Sequence, residues 1–383
     1  YMRKYYTRDR VSAYASPISN DSSHWDVLLA YVTASASVLG IEIASPFISI
    51  CLKRDAMAYL ESTARLEREL VYTPSDSPLF VRTTRQLICF LKKFPFAKDE
   101  IPIDPRLAGV IKWEAAEQQC AATNLRLSAI KRSDLPKWVR RAQELISDLL
   151  GPLEAATVMK IINSGKHGPG STLSSWGNRV SAYYKFADFP YSVTSRASSY
   201  ALAAISSDPH WMNILESSGR RTRLPPGAQH CAVPQAWKEI QIFQDCVDIV
   251  ETEKVTFTEK SATVMRPIGV PASLNAFLQQ GAGNFIANCL KQVNVFIDDQ
   301  AKNQKLAWAG SRYAFVGSEV NERQFSTLDL ASASDTISIG IVRLLLPGDW
   351  FAFLSDLRHE SGWLDGKYVK YEKFSAMGNG YTF

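Results

Sequence analysis

The most constraining feature of this chain is a pair of aspartates, Asp329 and Asp335, that lie six positions apart near its carboxyl end. The segment Phe325–Leu330 has the alternation of a short strand, and Leu328 and Leu330 point away from the face that carries Asp329. A carboxylate at the end of a buried strand is costly unless it is paired or binds a cation. The fold therefore has to supply a partner for Asp329.

Two chemical interpretations of Asp329 remain open from the residues alone. A lone Asp in such a place is most often half of an ion pair or a cap, which is the structural interpretation. Carboxylate oxygens also suit Mg²⁺, and nucleotidyl transfer uses two such ions, one at the attacking 3′-hydroxyl and one at the leaving pyrophosphate. The second interpretation predicts that Asp329 is a catalytic metal ligand.

Asp335 and a loop at the end of the chain carry the next candidate residues. Asp335 precedes a predicted helix, Thr336–Leu346, so we expect it to cap that helix, with its outer oxygen placed to accept a hydrogen bond from a ribose hydroxyl. Forty residues later, Ser375, Gly378 and Asn379 lie on a loop that is either an ordinary turn or a nucleotide-binding segment. In the second case Asn379 binds the 2′-hydroxyl, which distinguishes ribose from deoxyribose.

Two further sets of residues are candidates for binding phosphate groups. Lys260 and Arg266 flank a strand-like segment; exposed basic residues are usually only solvated, but these two are placed to hold a nucleoside triphosphate. A glycine-rich loop follows residue 163, and its amides and hydroxyls are expected to approach a template backbone. Its candidate template-binding residues are Gly168, Gly170, Ser171 and Thr172, and its basic candidates are Lys166 and His167.

The overall charge permits a polyanionic partner without requiring one, because the 383 residues carry a net charge of only +5. No signal peptide is apparent at the start of the chain. The uncharged segment Val27–Ile41 is shorter than the ~20 apolar residues of a membrane helix. We therefore expect no membrane association, and a buried helix at Val27–Ile41.

Periodicity and helix-breaking residues predict a helix-rich amino-terminal region followed by a mixed α+β region. Pro46 is expected to separate two long apolar helices, and Gly281 and Gly283 interrupt a later helix in a way that indicates close packing. The predicted helices are Trp25–Ile43, Ser49–Val71, Lys137–Leu150, Pro271–Val295, Thr336–Leu346 and Trp350–Leu357. The predicted strands are Thr252–Thr258, Ala262–Val270 and Tyr368–Phe374, the last returning from a hairpin with the turn Asp365-Gly366.

Taken together, these segments closely resemble the replicase subunit of the positive-strand RNA bacteriophages, the leviviruses of the Q-beta type. The resemblance is firm from about Lys260 to Phe383 and loose before that. The spacing of 40 residues between Asp335 and Ser375 matches the family. The matching segments are Thr327–Thr336, Leu344–Pro347, Tyr371–Phe383, the fingers motif Arg266–Gly283 and the template-entry loop His167–Gly170.

The resemblance implies an α+β right-hand polymerase fold. Residues 1–150 would form a helical amino-terminal region, residues 151–324 the fingers and residues 325–383 the first part of the palm. The implied activity is that of an RNA-directed RNA polymerase in the cytoplasm of a bacterial host. Its implied partners are RNA template and product, nucleoside triphosphates and host translation factors.

The resemblance also assigns roles to the candidate residues. Asp329 would be a ligand in a site for two Mg²⁺ ions. Asp335 and Asn379 would select ribose, Ser375 and Gly378 would belong to the same nucleotide-binding loop, and Lys260 and Arg266 would hold the phosphates of the nucleotide.

Two departures from the family pattern affect these expectations. The family's Tyr-Gly-Asp-Asp turn, which supplies further metal-binding carboxylates, is absent from this sequence. We therefore expect the chain to be a fragment of a longer product and to be inactive alone. Thr263 stands where the family has a second basic residue, which weakens the assignment of Lys260 more than that of Arg266.

Two other functions remain compatible with the residues. Another palm polymerase, such as a reverse transcriptase, would also use a strand-borne Asp, although Asn379 favours a ribonucleotide substrate. A non-catalytic RNA-binding or scaffold protein would use the same acids only structurally. A Gly-Asp-Asp hairpin encoded beyond Phe383 would favour the enzyme over the scaffold.

Overall fold

The computed structural model describes residues 23–72, 75–217, 235–297, 299–313 and 332–382. These residues divide into two compact units. Of the described residues, unit 1 comprises 23–72, 75–109, 258–266 and 306–313. Unit 2 comprises residues 110–257, 267–305 and 332–382, with the gaps given above.

Helices predominate in both units and confirm the predicted helix-rich α+β class. In chain order they are α1 His24–Ala34, α2 Ala36–Leu39, α3 Ile41–Lys53, α4 Ala56–Glu69, α5 Pro78–Cys89, α6 Pro105–Ser128, α7 Lys137–Leu150, α8 Ala155–Asn163, α9 Ala182–Ala187, α10 Ser198–Ser206, α11 Pro209–Ser217, α12 Gln235–Cys246, α13 Ser273–Gln292, α14 Gln300–Tyr313, α15 Ile339–Leu345 and α16 Gly348–Asp356. Within the described part of the chain, none of them has both the length and the apolar character to cross a membrane.

Unit 1 is a helical body whose core is built from apolar side chains of α1 to α5. Trp25, Leu28 and Tyr59 are among its buried residues. The Tyr59 hydroxyl donates a hydrogen bond of 2.6 Å to the carbonyl of Leu87, which satisfies the only polar atom of this buried ring. Ser23 and Asp26 form a capping box that begins α1.

The predicted separation of two helices at Pro46 is wrong. Pro46 lies inside α3, and the chain instead breaks at Ser35, at Gly40 with a φ of 78° and at Arg54 with a φ of 55°. An internal proline removes one helical hydrogen bond. The burial of Phe47 and Cys51 on the same helix offsets that loss.

The described residues form two small sheets. Their strands are β1 Tyr191–Val193, β2 Val247–Ile249, β3 Thr252–Ser261, β4 Val264–Val270, β5 Ser361–Leu364 and β6 Lys367–Lys370. The end of β3 from residue 258 and the start of β4 up to residue 266 belong to unit 1, and the other strand residues belong to unit 2. Strands β1 and β2 pair in parallel, and the second sheet has the order β4-β3-β5-β6. The first residues of β3 pair in parallel with β5, and β5 pairs antiparallel with β6. The predicted hairpin is confirmed, because Asp365 and Gly366 both have positive φ angles, of 51° and 79°.

A helix in unit 2 was predicted correctly because helix-breaking residues lie at both of its ends. The predicted helix Lys137–Leu150 is α7, which follows Pro136 and ends at Gly151 with a φ of 66°. The predicted domain boundaries at residues 150 and 324 stay predictions. The chain first passes from unit 1 to unit 2 between Gly109 and Val110, within α6.

Helix α13 passes through the main core of unit 2, and its glycines allow close packing as predicted. A Cβ atom on Gly281 would overlap the carbonyl oxygen of Ile161 and crowd the backbone of Gly165. A Cβ atom on Gly283 would lie 2.8 Å from the carbonyl oxygen of Gly380. Both positions therefore exclude any larger residue.

His167 packs into the same core, so the expectation that it is a basic residue of the glycine-rich loop is wrong. Its ring lies against Phe186, Trp211 and Phe277, with centroid distances of 4.6, 6.3 and 5.2 Å. Both ring nitrogens are shielded and find no hydrogen-bond partner among the described residues. Burial, together with the charge of Lys185, lowers the pKa of His167 to about 4. The imidazole is therefore neutral at physiological pH.

Replacing Gly281 with alanine should destabilise the protein, because the clash is with backbone atoms that cannot rotate away. We expect Gly281→Ala to lower the free energy of unfolding by about 1–3 kcal/mol, as measured by urea denaturation. Gly348→Ala is the matched control, since Gly348 is also helical and a Cβ atom there would meet nothing within 4 Å. Equal stability of the two variants would contradict the close packing of α13.

The burial of His167 predicts how stability depends on pH. Its pKa is lower in the folded than in the unfolded protein, so its contribution is complete above pH 6.5 and is lost as the pH falls towards 4. Over that window, the wild type should lose up to about 1.4 kcal/mol of unfolding free energy per pH unit more than His167→Phe does. The same substitution at the exposed His210 is the control, and an identical pH profile for wild type and His167→Phe would contradict the assignment.

Candidate active site

The predicted site is described only in part. Asp329 and the predicted strand Phe325–Leu330 lie outside the described residues, so their roles stay predictions. Asp335 and the loop from Ser375 to Gly380 are described, and both belong to unit 2.

Backbone hydrogen bonds place Asp335 next to the segment that leads into this loop. The amide of Phe374 donates to the carbonyl of Ile337 at 2.8 Å, and the amide of Ile339 donates to the carbonyl of Glu372 at 3.1 Å. The residues after Asp335 thus run as an extended segment beside residues 372–374. This pairing joins the segment after Asp335 to the residues that lead into the Ser375–Gly380 loop.

The predicted capping role of Asp335 is wrong. Asp335 ends a short 3₁₀ turn, and α15 begins only after Ser338, whose hydroxyl accepts a hydrogen bond from the amide of Ile341. The reason is the extended pairing of residues 337–339, which prevents the helix from starting earlier. The Asp335 side chain is therefore free of the helix terminus.

Asp335 instead forms a buried ion pair. Its Oδ1 atom accepts a hydrogen bond of 2.8 Å from Nζ of Lys373, which is only 1% exposed. The same ammonium lies 3.3 Å from Oε1 of Glu117. A buried ammonium requires such partners, because an isolated charge in the interior is strongly unfavourable.

One face of helix α6 supplies most of the surroundings of this ion pair. Trp113, Glu117, Cys120 and Asn124 follow one another at helical spacing. The Trp113 ring lies 4.6 Å from Nζ of Lys373. The Cys120 thiol donates to the carbonyl of Asp335 at 3.4 Å, and burial raises its pKa to about 11. The Asn124 amide donates to the carbonyl of Glu372 at 2.9 Å and its Oδ1 accepts from the amide of Gly340 at 2.7 Å.

Sequence reasoning missed this contribution of α6. These four residues, here called the α6 stripe, are a carboxylate, a thiol, an amide and one aromatic ring. A search for apolar periodicity therefore does not reveal them. The available signal was the spacing of polar residues at i, i+3 or i+4 along one face.

Asn379 is held by a second buried carboxylate. Its Oδ1 atom accepts from the amide of Ala376 at 2.7 Å, and its Nδ2 atom lies 3.5 Å from Oε2 of Glu253. The other oxygen of Glu253 accepts a hydrogen bond of 3.0 Å from the Tyr371 hydroxyl. Burial and the Glu253 carboxylate raise the pKa of Tyr371, so its hydroxyl remains a donor.

Close backbone contacts fix the loop around Asn379. Gly378 has a φ of 114°, and a Cβ atom there would overlap the carbonyl oxygen of Gly269. The amide of Gly380 donates to Oε1 of the buried Gln279 at 2.9 Å. Ser375, at the start of the loop, is 9% exposed. The loop is therefore a defined structure rather than a loose connection.

The predicted template-binding loop is held from inside the protein. The carbonyls of Gly168 and Gly170 both accept hydrogen bonds from Nζ of Lys185, a buried lysine whose pKa is lowered by desolvation. Ser171 is exposed, whereas Thr172 is 3% exposed. The predicted contacts of these four residues with a template stay predictions, with Ser171 the most accessible of the hydroxyls.

The predicted phosphate-binding residues belong to the other unit. Lys260 is exposed on β3, and Arg266 is half-buried on β4. Thr263 lies at the turn between these strands, with its hydroxyl 3.3 Å from that of Ser261. The predicted binding of phosphate groups by Lys260 and Arg266 stays a prediction.

The described residues do not fit a metal site by themselves. Across residues 23–382 with the gaps given above, no group of three or more His, Cys, Asp or Glu side chains is arranged to hold a metal ion. Asp335 is committed to Lys373. Asp329 therefore remains the predicted metal ligand in this chain.

Comparison with known proteins identifies the family. The family described as RNA replicase, beta-chain, matches residues 87–383. The RNA-directed RNA polymerase subunit beta of Enterobacteria phage SP is 31% identical over 297 residues, which cover 73% of this chain and 43% of the relative. The subunit of the same name from Escherichia virus Qbeta is 30% identical over 338 residues, or 85% of this chain and 49% of the relative.

A shorter segment is more similar to a third relative. The RNA-directed RNA polymerase beta chain of Escherichia phage MS2 is 40% identical over 110 residues, which cover 29% of this chain and 18% of the relative. The chain thus spans less than half the length of these relatives. These matches confirm the resemblance drawn from the sequence motifs, and the chain belongs to the RNA replicase beta-chain family.

Proposed function

We propose that this chain is part of an RNA-directed RNA polymerase that copies a viral RNA genome. The reaction is template-directed nucleotidyl transfer, in which a 3′-hydroxyl attacks the α-phosphate of a nucleoside triphosphate and pyrophosphate leaves. The observation that carries this proposal is the pairing of the segment after Asp335 with residues 372–374, which lead into the Asn379 loop. Family membership supports the same reaction class.

The proposed role of these two residues is to bind the sugar of the incoming nucleotide. Lys373 occupies Oδ1 of Asp335, which leaves Oδ2 as an acceptor for a ribose hydroxyl. Asn379 uses its Oδ1 within the loop, and among the described residues its Nδ2 makes a long contact of 3.5 Å with Oε2 of Glu253. An acceptor and a donor are thus available to a ribose, and correct placement of the sugar places the α-phosphate for attack.

The remaining assignments complete the proposal. Lys260 and Arg266 bind the triphosphate, and the loop that contains Gly168, Gly170, Ser171 and Thr172 contacts the RNA template. Residues 151–324 form the fingers and residues 325–383 the first part of the palm of a right-hand fold. The protein acts in the cytoplasm of a bacterial host, with host translation factors as further partners.

Asp329 is proposed as a ligand of Mg²⁺, the ion that stabilises the charge developed in nucleotidyl transfer when it is bound. The Gly-Asp-Asp turn of the family is proposed to supply the other ligands. This chain's own contribution, apart from Asp329, is to bind and orient the nucleotide and the template.

The function is tested with a full-length polymerase that carries this chain, in an assay of nucleotide incorporation directed by an RNA template. We expect incorporation that depends on the template and on the ribonucleoside triphosphates. RNA binding without any incorporation would contradict the proposal and favour the scaffold function.

The role of Asp329 is tested in the same assay. We expect Asp329→Ala to lower the incorporation rate by at least about a hundredfold, because even the groups that only support a metal ligand contribute 10–100-fold. RNA binding, measured by filter retention, should be unchanged. Asp148→Ala, which removes an exposed acid from α7, is the control, and retained incorporation by Asp329→Ala would reject its role as a ligand.

A further inference from the structure

We propose that Lys373 is a positioning residue that sets sugar selectivity by holding the carboxylate of Asp335 in place. This inference rests on the proposed function and deepens it, since it concerns how the nucleotide site recognises ribose. It assigns a role to a buried charge that contacts Asp335 and has no part in the reaction itself.

Lys373 is placed to act on Asp335 and on nothing in the solvent. Its side chain is 1% exposed, and its Nζ atom lies 2.8 Å from Oδ1 of Asp335 and 3.3 Å from Oε1 of Glu117. The rings of Trp113 and Tyr371 lie 4.6 and 5.5 Å from the ammonium. Two carboxylates and two aromatic faces thus surround a single cation, an arrangement that fixes its position.

Glu117 anchors the opposite side of this cation. Its Oε2 atom accepts hydrogen bonds from the backbone amides of Glu372, at 2.8 Å, and Lys373, at 3.4 Å. The carboxylate on α6 therefore binds both the backbone and the side chain of the lysine segment. Of the two carboxylates that bind Lys373, Asp335 is slightly more accessible, with a side-chain exposure of 13% against 10% for Glu117.

The hydrogen bond from the ammonium explains why the lysine controls the orientation of Asp335. Nζ of Lys373 binds Oδ1 of Asp335 at 2.8 Å. Without the ammonium, the Asp335 carboxylate would lose this charge-assisted hydrogen bond and could turn away. A displaced Asp335 no longer offers the fixed acceptor that a ribose hydroxyl needs.

A fixed acceptor is also what produces discrimination. A site built to bind a substrate hydroxyl rejects an analogue that lacks it, because its own buried polar group is then left without a partner. Loss of Lys373 should therefore impair the use of ribonucleotides more than that of deoxyribonucleotides. A lysine that only stabilised the fold would affect both substrates equally.

The experiment uses the full-length polymerase and compares incorporation of a ribonucleotide and of its deoxyribonucleotide by kcat/KM. The main variant is Glu117→Gln/Lys373→Met, which removes one positive and one negative charge together and so avoids an added charge imbalance. The glutamine oxygen can still accept the backbone hydrogen bonds of the lysine segment. Folding of the variant is checked by its thermal unfolding midpoint, and Lys370→Met, at an exposed lysine of β6, is the control.

We expect the double variant to lower the ratio of ribonucleotide to deoxyribonucleotide kcat/KM by about tenfold or more, the effect of one charge-assisted hydrogen bond. The control should keep the wild-type ratio. An unchanged ratio, or equal loss of both activities, would overturn the positioning role. An inactive wild type would instead overturn the proposed function.

A second comparison separates an action through Asp335 from a general effect on stability. Asp335→Asn should lower the same ratio, and adding Lys373→Met to Asp335→Asn should lower it no further. Additive effects of the two substitutions would show that Lys373 acts independently of Asp335 and would contradict the inference. This comparison also decides the matter if Glu117→Gln/Lys373→Met does not fold.

Discussion

A single buried ammonium connects the parts of unit 2 that make the candidate site. Lys373 reaches Asp335 on one side and Glu117 of α6 on the other, while its backbone is bound to the same glutamate. Three segments that are far apart in sequence are therefore joined at one charge. A buried ion is tolerated only when its partners are in place, so removing any one of these three charged groups should disturb the positions of the other two.

A second carboxylate organises the neighbouring loop by the same principle. Glu253 accepts a hydrogen bond from Tyr371 and contacts Asn379, and Gly269 leaves room for its carboxylate because a Cβ atom there would overlap it. Asp335 is thus held by the ammonium of Lys373, and Asn379 by the carboxylate of Glu253. Both of these charged groups are buried.

Sequence patterns predicted the elements that local chemistry determines. Helix α7, the Asp365-Gly366 hairpin and the close packing at Gly281 depend on breakers and turn residues next to them in the chain. The patterns failed where distant contacts decide the outcome. Pro46 lies within a helix because its neighbours are buried, and Asp335 is no cap because residues 337–339 pair with a segment more than thirty positions later. The α6 stripe was missed for the same reason, since its polar residues acquire partners only in the folded chain.

Helix α13 acts as a spacer between two loops of unit 2. Gly281 meets the backbone at Ile161 and Gly165, where the glycine-rich loop begins, and Gly283 meets the carbonyl of Gly380 at the end of the Asn379 loop. These contacts are two residues apart, which places them about 3 Å apart along the helix axis and on nearly opposite sides of the helix. The separation of the two loops is therefore set by the thickness of one helix, because each loop packs directly against its backbone.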